Sequence, residues 1–188
     1  MIFVKVAITS SLIFFGAISR TLMAGLPNIE PVMLVTLVSG VRYGWRYGFF
    51  TGLLTMMLSD LIIYGTVPYF AIGLPLGFIA LTSLMTNTTY GLIGLLSGFF
   101  KKHTKRIELA GAALILTLIY DLITNIGTAF IANITITQAL LQGIPFMLLH
   151  VIGNVLIIGI CAPYLLRLMA FAESRVRASE PKTAAWRL

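Results

Sequence analysis

The sequence predicts an all-α integral membrane protein, a bundle of six transmembrane helices with the N- and C-termini cytoplasmic, and three observations carry that prediction. The 188 residues are 59% hydrophobic and only 10% charged, with a mean hydropathy of +0.99, whereas a soluble domain carries about a quarter charged residues. Apolar runs of the length that crosses a bilayer as a helix, about twenty residues, recur from end to end. Lysines and arginines gather on alternate connections. The single cysteine, Cys161, leaves no disulfide framework and no cysteine metal cluster.

The first span is expected over 4–24. Lys5 and the apolar run to Gly16 and Ala17 have the outline of a signal peptide, but the run continues through Arg20 to Leu26 without a small-residue cleavage pattern, which favours a retained helix. Spans over 32–47 and 48–65 are joined through Val41-Arg42-Tyr43-Gly44-Trp45-Arg46-Tyr47, a tight hairpin whose aromatic and basic residues suit the headgroup region. Pro68, Gly73, Pro75 and Gly77 make 65–76 an irregular outer loop before a fourth span over 76–100. The fifth span covers 107–131 and the sixth 142–171, where Pro145 and Pro163 predict a kink or a projection beyond the bilayer. The transmembrane domain thus occupies 1–171, and 172–188 is a polar cytoplasmic tail, disordered in part.

With the N-terminus inside, every lysine and arginine except Arg20 falls on the cytoplasmic side, which demands an even number of spans. The net charge of +7 then reflects orientation in a multi-pass plasma-membrane protein. Lipid is the expected surroundings and no nucleic-acid partner is expected.

An ionisable group at the centre of a membrane helix costs about 2.5–3.5 kcal/mol on insertion scales, so each one that remains calls for a reason. Asp60 lies in the third span, and Asn87 in the fourth, among Thr82, Ser83, Thr86, Thr88 and Thr89. Asp121 and Asn125 lie in the fifth, and His150 and Asn154 in the sixth. From the direction of each span, Asp60 belongs to the outer third and Asp121 with Asn125 to the outer half, one turn apart. His150 and Asn154 run from the outer third to the midplane. These groups are expected to converge on one layer, roofed by Arg20, Asn28 and Glu30, with Tyr64 and Tyr69 at the neighbouring outer loop. Any one of them can be interhelical glue. As a set on one side of the membrane they point to a water-accessible binding cavity for a polar small molecule with donors and acceptors. His150 has no second intramembrane histidine or thiolate nearby, so neither a metal nor another cofactor is expected.

Gly44, Gly48 and Gly52, and likewise Gly91, Gly94 and Gly98, allow close helix approach, most simply within the chain. Ala7 and Ser11 form a small-residue pair that serves either internal packing or the docking of another membrane subunit.

The segment Pro27-Asn28-Ile29-Glu30-Pro31-Val32-Met33, the glycines 40, 44, 48 and 52, Ser59-Asp60, Tyr90-Gly91-Leu92-Ile93-Gly94 with Gly98, Tyr120-Asp121-Leu122 with Asn125, and Pro145-Phe146 with His150 and Asn154 follow one another in a characteristic order. That succession, over most of 1–171, resembles the substrate-binding S-components of energy-coupling-factor (ECF) vitamin importers, nearest their cobalamin-transport-like and uncharacterised branch. Where that branch carries a Gly-Pro-Trp type of outer motif, Gly65-Thr66-Val67-Pro68-Tyr69 stands here, which leaves the ligand open. The resemblance implies six helices and an outward-facing pocket for a vitamin-like molecule, corrinoids among the candidates, with 20–31 and 65–76 as lids. It also implies partners, a transmembrane coupling subunit and two cytoplasmic ATPases, docked through Ala7 and Ser11. The chain has no Gly-x-x-x-x-Gly-Lys loop of its own.

Two other classes compete. A stand-alone carrier would couple transport to protons through Asp60 or Asp121, although no clear internal repeat supports one. An intramembrane enzyme would use His150 with Asp121 or Asp60, but no serine or cysteine nucleophile stands in relation to His150, and the chain is not expected to be an enzyme.

Overall fold

The computed structural model describes residues 2–23, 31–66, 73–100 and 105–179. They form α1 (Ile2–Leu22), α2 (Pro31–Tyr43), α3 (Trp45–Thr66), α4 (Leu76–Ser97), α5 (Arg106–Ala132) and α6 (Ile136–Ser179). By length and composition, all but α2 can cross a membrane.

α2 departs from expectation. Its 13 residues rise about 20 Å at 1.5 Å per residue, against a hydrocarbon core of about 30 Å. All of them except Arg42 and Tyr43 are buried. The other five helices surround it as a ring, α1 against α3, α3 against α4, α4 against α5 and α5 against α6, and α2 touches every one. α1 and α6 meet only lightly where the ring closes. The expected second span is therefore a short central plug, and Pro31 at its first position supplies the fixed φ that a helix start favours.

Apolar burial drives little helix association in lipid, so close backbone contact has to do that work. A Cβ at Gly48 would lie 2.1 Å from the Gly94 carbonyl oxygen, one at Gly94 2.0 Å from that of Gly48, and one at Gly52 2.2 Å from that of Tyr90. These three positions let α3 and α4 touch along their backbones, in the most extensive interface of the bundle. Gly44 is not part of this stripe. It links α2 to α3 at φ +97°, a left-handed conformation that glycine accepts readily. The plug is tied in by polar contacts as well, with Thr51 donating to Ser39 Oγ at 2.7 Å and Ser97 to the Thr36 carbonyl at 3.4 Å.

α5 begins with Glu108 accepting from the Lys105 amide at 2.6 Å and ends at Asn133, whose φ of 53° caps the helix. α6 starts at Ile136, nearly two turns earlier than the expected 142. Thr135 and Gln138 form a reciprocal capping box, with the Thr135 amide donating to Gln138 Oε1 at 3.0 Å and the Gln138 amide to Thr135 Oγ1 at 3.2 Å. α6 also runs past Glu173 to Ser179, so the start of the expected polar tail is helical, while 180–188 lie outside the described residues.

Lys5 Nζ sits 5.9 Å from the Tyr43 ring, and Arg42 forms a two-pronged ion pair with Glu173, Nε to Oε1 at 3.1 Å and Nη2 to Oε2 at 2.6 Å. The start of α1, the end of α2 and the late part of α6 therefore share one end of the bundle, and the Arg20–Asp60 pair lies toward the other. The chain thus runs from end to end of the bundle an even number of times, one of these passes being the short α2.

Candidate functional site

The intramembrane polar residues form two tiers. In the outer tier, Arg20 Nη1 donates to Asp60 Oδ1 at 2.9 Å and to Ser59 Oγ at 2.8 Å, while Ser83 donates to Asp60 Oδ2. Asn87, one turn further along α4, donates to Ser83 Oγ at 3.5 Å. α1, α3 and α4 are thereby joined, and both Asp60 oxygens are occupied. Tyr64 stands one turn beyond Asp60 on α3.

The inner tier lies between α5 and α6. His150 Nδ1 meets Asp121 Oδ1 at 2.7 Å, with both side chains 1% exposed. One turn deeper, Asn154 Nδ2 donates to Thr117 Oγ1 at 3.2 Å. Asp121 and Thr117 share a face of α5, and His150 and Asn154 share the facing side of α6, so two antiparallel rungs result from a four-residue spacing on each helix. The Tyr120 and Phe146 rings flank His150 with centroids at 5.5 and 5.3 Å, and Tyr90 of α4 packs on Tyr120 at 4.6 Å. Asn125, one turn outward from Asp121, donates to its carbonyl at 2.7 Å and packs against Gly143, where a Cβ would come within 2.2 Å of Asn125 Oδ1.

The convergence on a single layer is therefore corrected. Tyr90, at the level of the inner tier, lies against Gly52, and Asp60 is eight residues further along α3, about 12 Å of helix. Ser83 is seven residues from Tyr90 on α4, which gives a similar offset. Asn87 and Asn125 fall between the tiers, so polar side chains descend stepwise from the outer end of the ring to its middle.

The two tiers differ in how completely they are satisfied. Asp121 Oδ2, His150 Nε2, Asn154 Oδ1 and, between the tiers, Asn87 Oδ1 are buried without a hydrogen-bond partner. Such atoms cost about 1–3 kcal/mol each unless another group meets them. Among the described residues, no three His, Cys, Asp or Glu side chains come together as metal ligands.

Ala7 and Ser11 are exposed on α1, with Ser11 Oγ bonded back to the Ala7 carbonyl at 3.0 Å. They line a groove of about 510 Å³ with Phe15, Leu165, Leu168, Met169 and Ala172, where α1 and α6 barely meet. Asn28, Glu30 and Tyr69, and most of the two expected lids, lie outside the described residues.

Sequence reasoning missed Thr117, the rings of Tyr90, Tyr120 and Phe146 as walls of the inner tier, and the Arg42–Glu173 pair. Thr117 was within reach, because it precedes Asp121 by one turn as Asn154 follows His150.

The family of unknown function DUF6580 matches residues 2–178, and the chain belongs to that family. Neither a curated protein nor a solved structure matches it.

Proposed function

We propose that this chain is the substrate-binding component of an ECF-type importer in the plasma membrane, taking a small polar, vitamin-like molecule from the outer side and passing it to partners that drive uptake with ATP. The observation that carries the reading is the set of unpartnered atoms Asn87 Oδ1, Asp121 Oδ2, His150 Nε2 and Asn154 Oδ1, buried in the middle of the ring. In the outer tier the Asp60 carboxylate already has a partner on each oxygen. A binding site keeps unused valences that a ligand completes. Three of the four atoms are oxygens, and the amide oxygens of Asn87 and Asn154 can only accept, so the ligand presents N–H or O–H donors on the face it buries.

Partner docking falls on the α1–α6 groove, where Ala7 and Ser11 leave room for a helix of the coupling subunit. The sequence resemblance to S-components supports both halves of the proposal. A proton-coupled carrier is the second reading, and the Asp121–His150 contact at 2.7 Å favours it, because ionisable pairs within membrane helices recur along proton pathways.

Mass spectrometry of small molecules that co-purify with the protein identifies the ligand, and titration calorimetry with that compound tests the site. His150→Ala and Asn154→Ala are each expected to weaken binding about tenfold, the loss of about one hydrogen bond. Unchanged affinity in both variants overturns the assignment. Uptake in cells with and without the ATPase partners then separates the two readings. Transport that survives loss of the ATPases but stops when the membrane potential is collapsed belongs to a carrier.

A further inference from the structure

A second groove lies on the opposite side of α1, between α1 and α3, with a volume of about 400 Å³. Val6, Ser10 and Ile13 form its α1 wall, and Phe50 and Leu54 its α3 wall, with Arg46 and Tyr47 at one end. The spacings of three and four residues put each set on a single helix face. The groove has a charged end and an apolar length. Arg46 begins the second position of α3, and Leu54 lies eight residues, about 12 Å, further into the membrane.

One cation, Arg46, lines the charged end, and a second, Lys5, is the residue before Val6 on α1. The Arg46 guanidinium lies 5.1 Å over the Trp45 ring, Lys5 Nζ lies 5.9 Å from Tyr43, and Tyr43 in turn contacts Tyr47 at 5.4 Å. Among the described residues neither Lys5 nor Arg46 pairs with an acidic side chain, whereas neighbouring Arg42 is neutralised by Glu173. Aromatic rings at such a boundary sit at headgroup level, and basic side chains there attract anionic lipid.

We propose that the α1–α3 groove holds one anionic phospholipid of the leaflet facing the two termini, its phosphate on Arg46 and Lys5 and an acyl chain along Val6, Ile13, Phe50 and Leu54. Only an amphipathic anion matches both parts. A soluble anion leaves the apolar walls uncovered, and a zwitterionic lipid leaves the two cations without net compensation. The proposal is independent of transport, because none of these residues belongs to either polar tier.

Native mass spectrometry of the full chain in mild detergent, titrated with phosphatidylglycerol or phosphatidylcholine, tests it. Wild type is expected to retain one phosphatidylglycerol at least about tenfold more strongly than phosphatidylcholine, from two cations near the surface. Lys5→Gln combined with Arg46→Gln is expected to bring that preference to about twofold or less. Ser10→Phe keeps both cations but fills the groove from an exposed position, and is expected to lose the bound lipid. Thermal melting in the same detergent verifies that each variant is folded. Equal retention of the two lipids by wild type overturns the proposal, as does undiminished phosphatidylglycerol retention by either variant. A photoreactive residue at position 10 supplies the arm that needs no destabilising change: in native membranes it is expected to label phospholipid, and labelling of a protein helix instead assigns the groove to a protein partner and overturns the lipid.

Discussion

Removing one member of the Asp121–His150 pair should unsettle the bundle far more than an ordinary interhelical hydrogen bond would. The contact is 2.7 Å long with both side chains 1% exposed, so His150→Ala leaves the Asp121 carboxyl without a partner on either oxygen and without access to water. Stranding one group of a buried pair costs about 3–5 kcal/mol, whereas polar contacts between membrane helices average about 0.6 and reach about 1.7 kcal/mol. Asp121→Ala should cost a similar amount, because His150 Nδ1 then loses its partner while Nε2 already has none. The double variant should cost about as much as either single one, since the stranded group disappears while the packing loss remains, and the implied coupling is about 3–5 kcal/mol. Reversible unfolding in bicelles at neutral pH, followed by circular dichroism, measures all three. Additivity within about 0.5 kcal/mol would refute the reasoning and reduce the pair to a coincidence of packing.

Gly48→Ala meets the Gly94 carbonyl at 2.1 Å, a backbone atom that cannot swing aside, and should lower stability by about 1–3 kcal/mol in the same assay. Gly127→Ala approaches the Met85 sulfur at 2.0 Å, but that thioether can take another rotamer, and a loss below about 1 kcal/mol is expected. At the inner end, burial opposes ionisation of Glu173, but the Arg42 guanidinium outweighs it and holds the carboxyl below its ordinary 4.5. A depressed carboxyl stabilises the fold above its unfolded value, and that stabilisation is lost as the pH falls through the folded one. The advantage of wild type over Glu173→Gln should therefore be constant above pH 4.5 and shrink below it, as melting in detergent at stepped pH will show. An advantage that instead faded between pH 6 and 8 would assign the effect to another group.

The helical class and most span positions were legible because membrane insertion writes itself into hydropathy, and the side on which cations gather gave the parity. The length of α2 was not legible. Its run from Val32 to Val41 is as apolar as a lipid-facing span, and hydropathy cannot tell a helix wrapped by lipid from one wrapped by five neighbours. The pairings within a face were partly readable, since His150 and Asn154 had to share a side of α6. Which helix they faced depended on the order of the ring. Depth was the weakest estimate, because a shift of a few residues in a helix start moves a side chain by several ångströms. That is how two tiers about 10 Å apart were read as one layer.

The difference between the tiers bears most directly on function. Asp60 and Asp121 look alike in sequence, each an acidic residue in an apolar helix beside a hydroxyl-bearing or aromatic neighbour. Yet Asp60 receives Arg20 on one oxygen and Ser83 on the other, so its carboxylate has no free oxygen. A ligand reaching Asp60 would have to displace a formed ion pair and gain only what it broke. Asp121 keeps Oδ2 free, His150 keeps Nε2 free and, one turn deeper, Asn154 keeps Oδ1 free, all on helices whose facing sides meet between α5 and α6. The proposed ligand contacts therefore shift inward, to Asp121, His150 and Asn154 with Asn87 and Asn125 above them. The Arg20–Asp60–Ser83 cluster becomes the clasp that ties α1 to α3 and α4 at the outer end of the bundle.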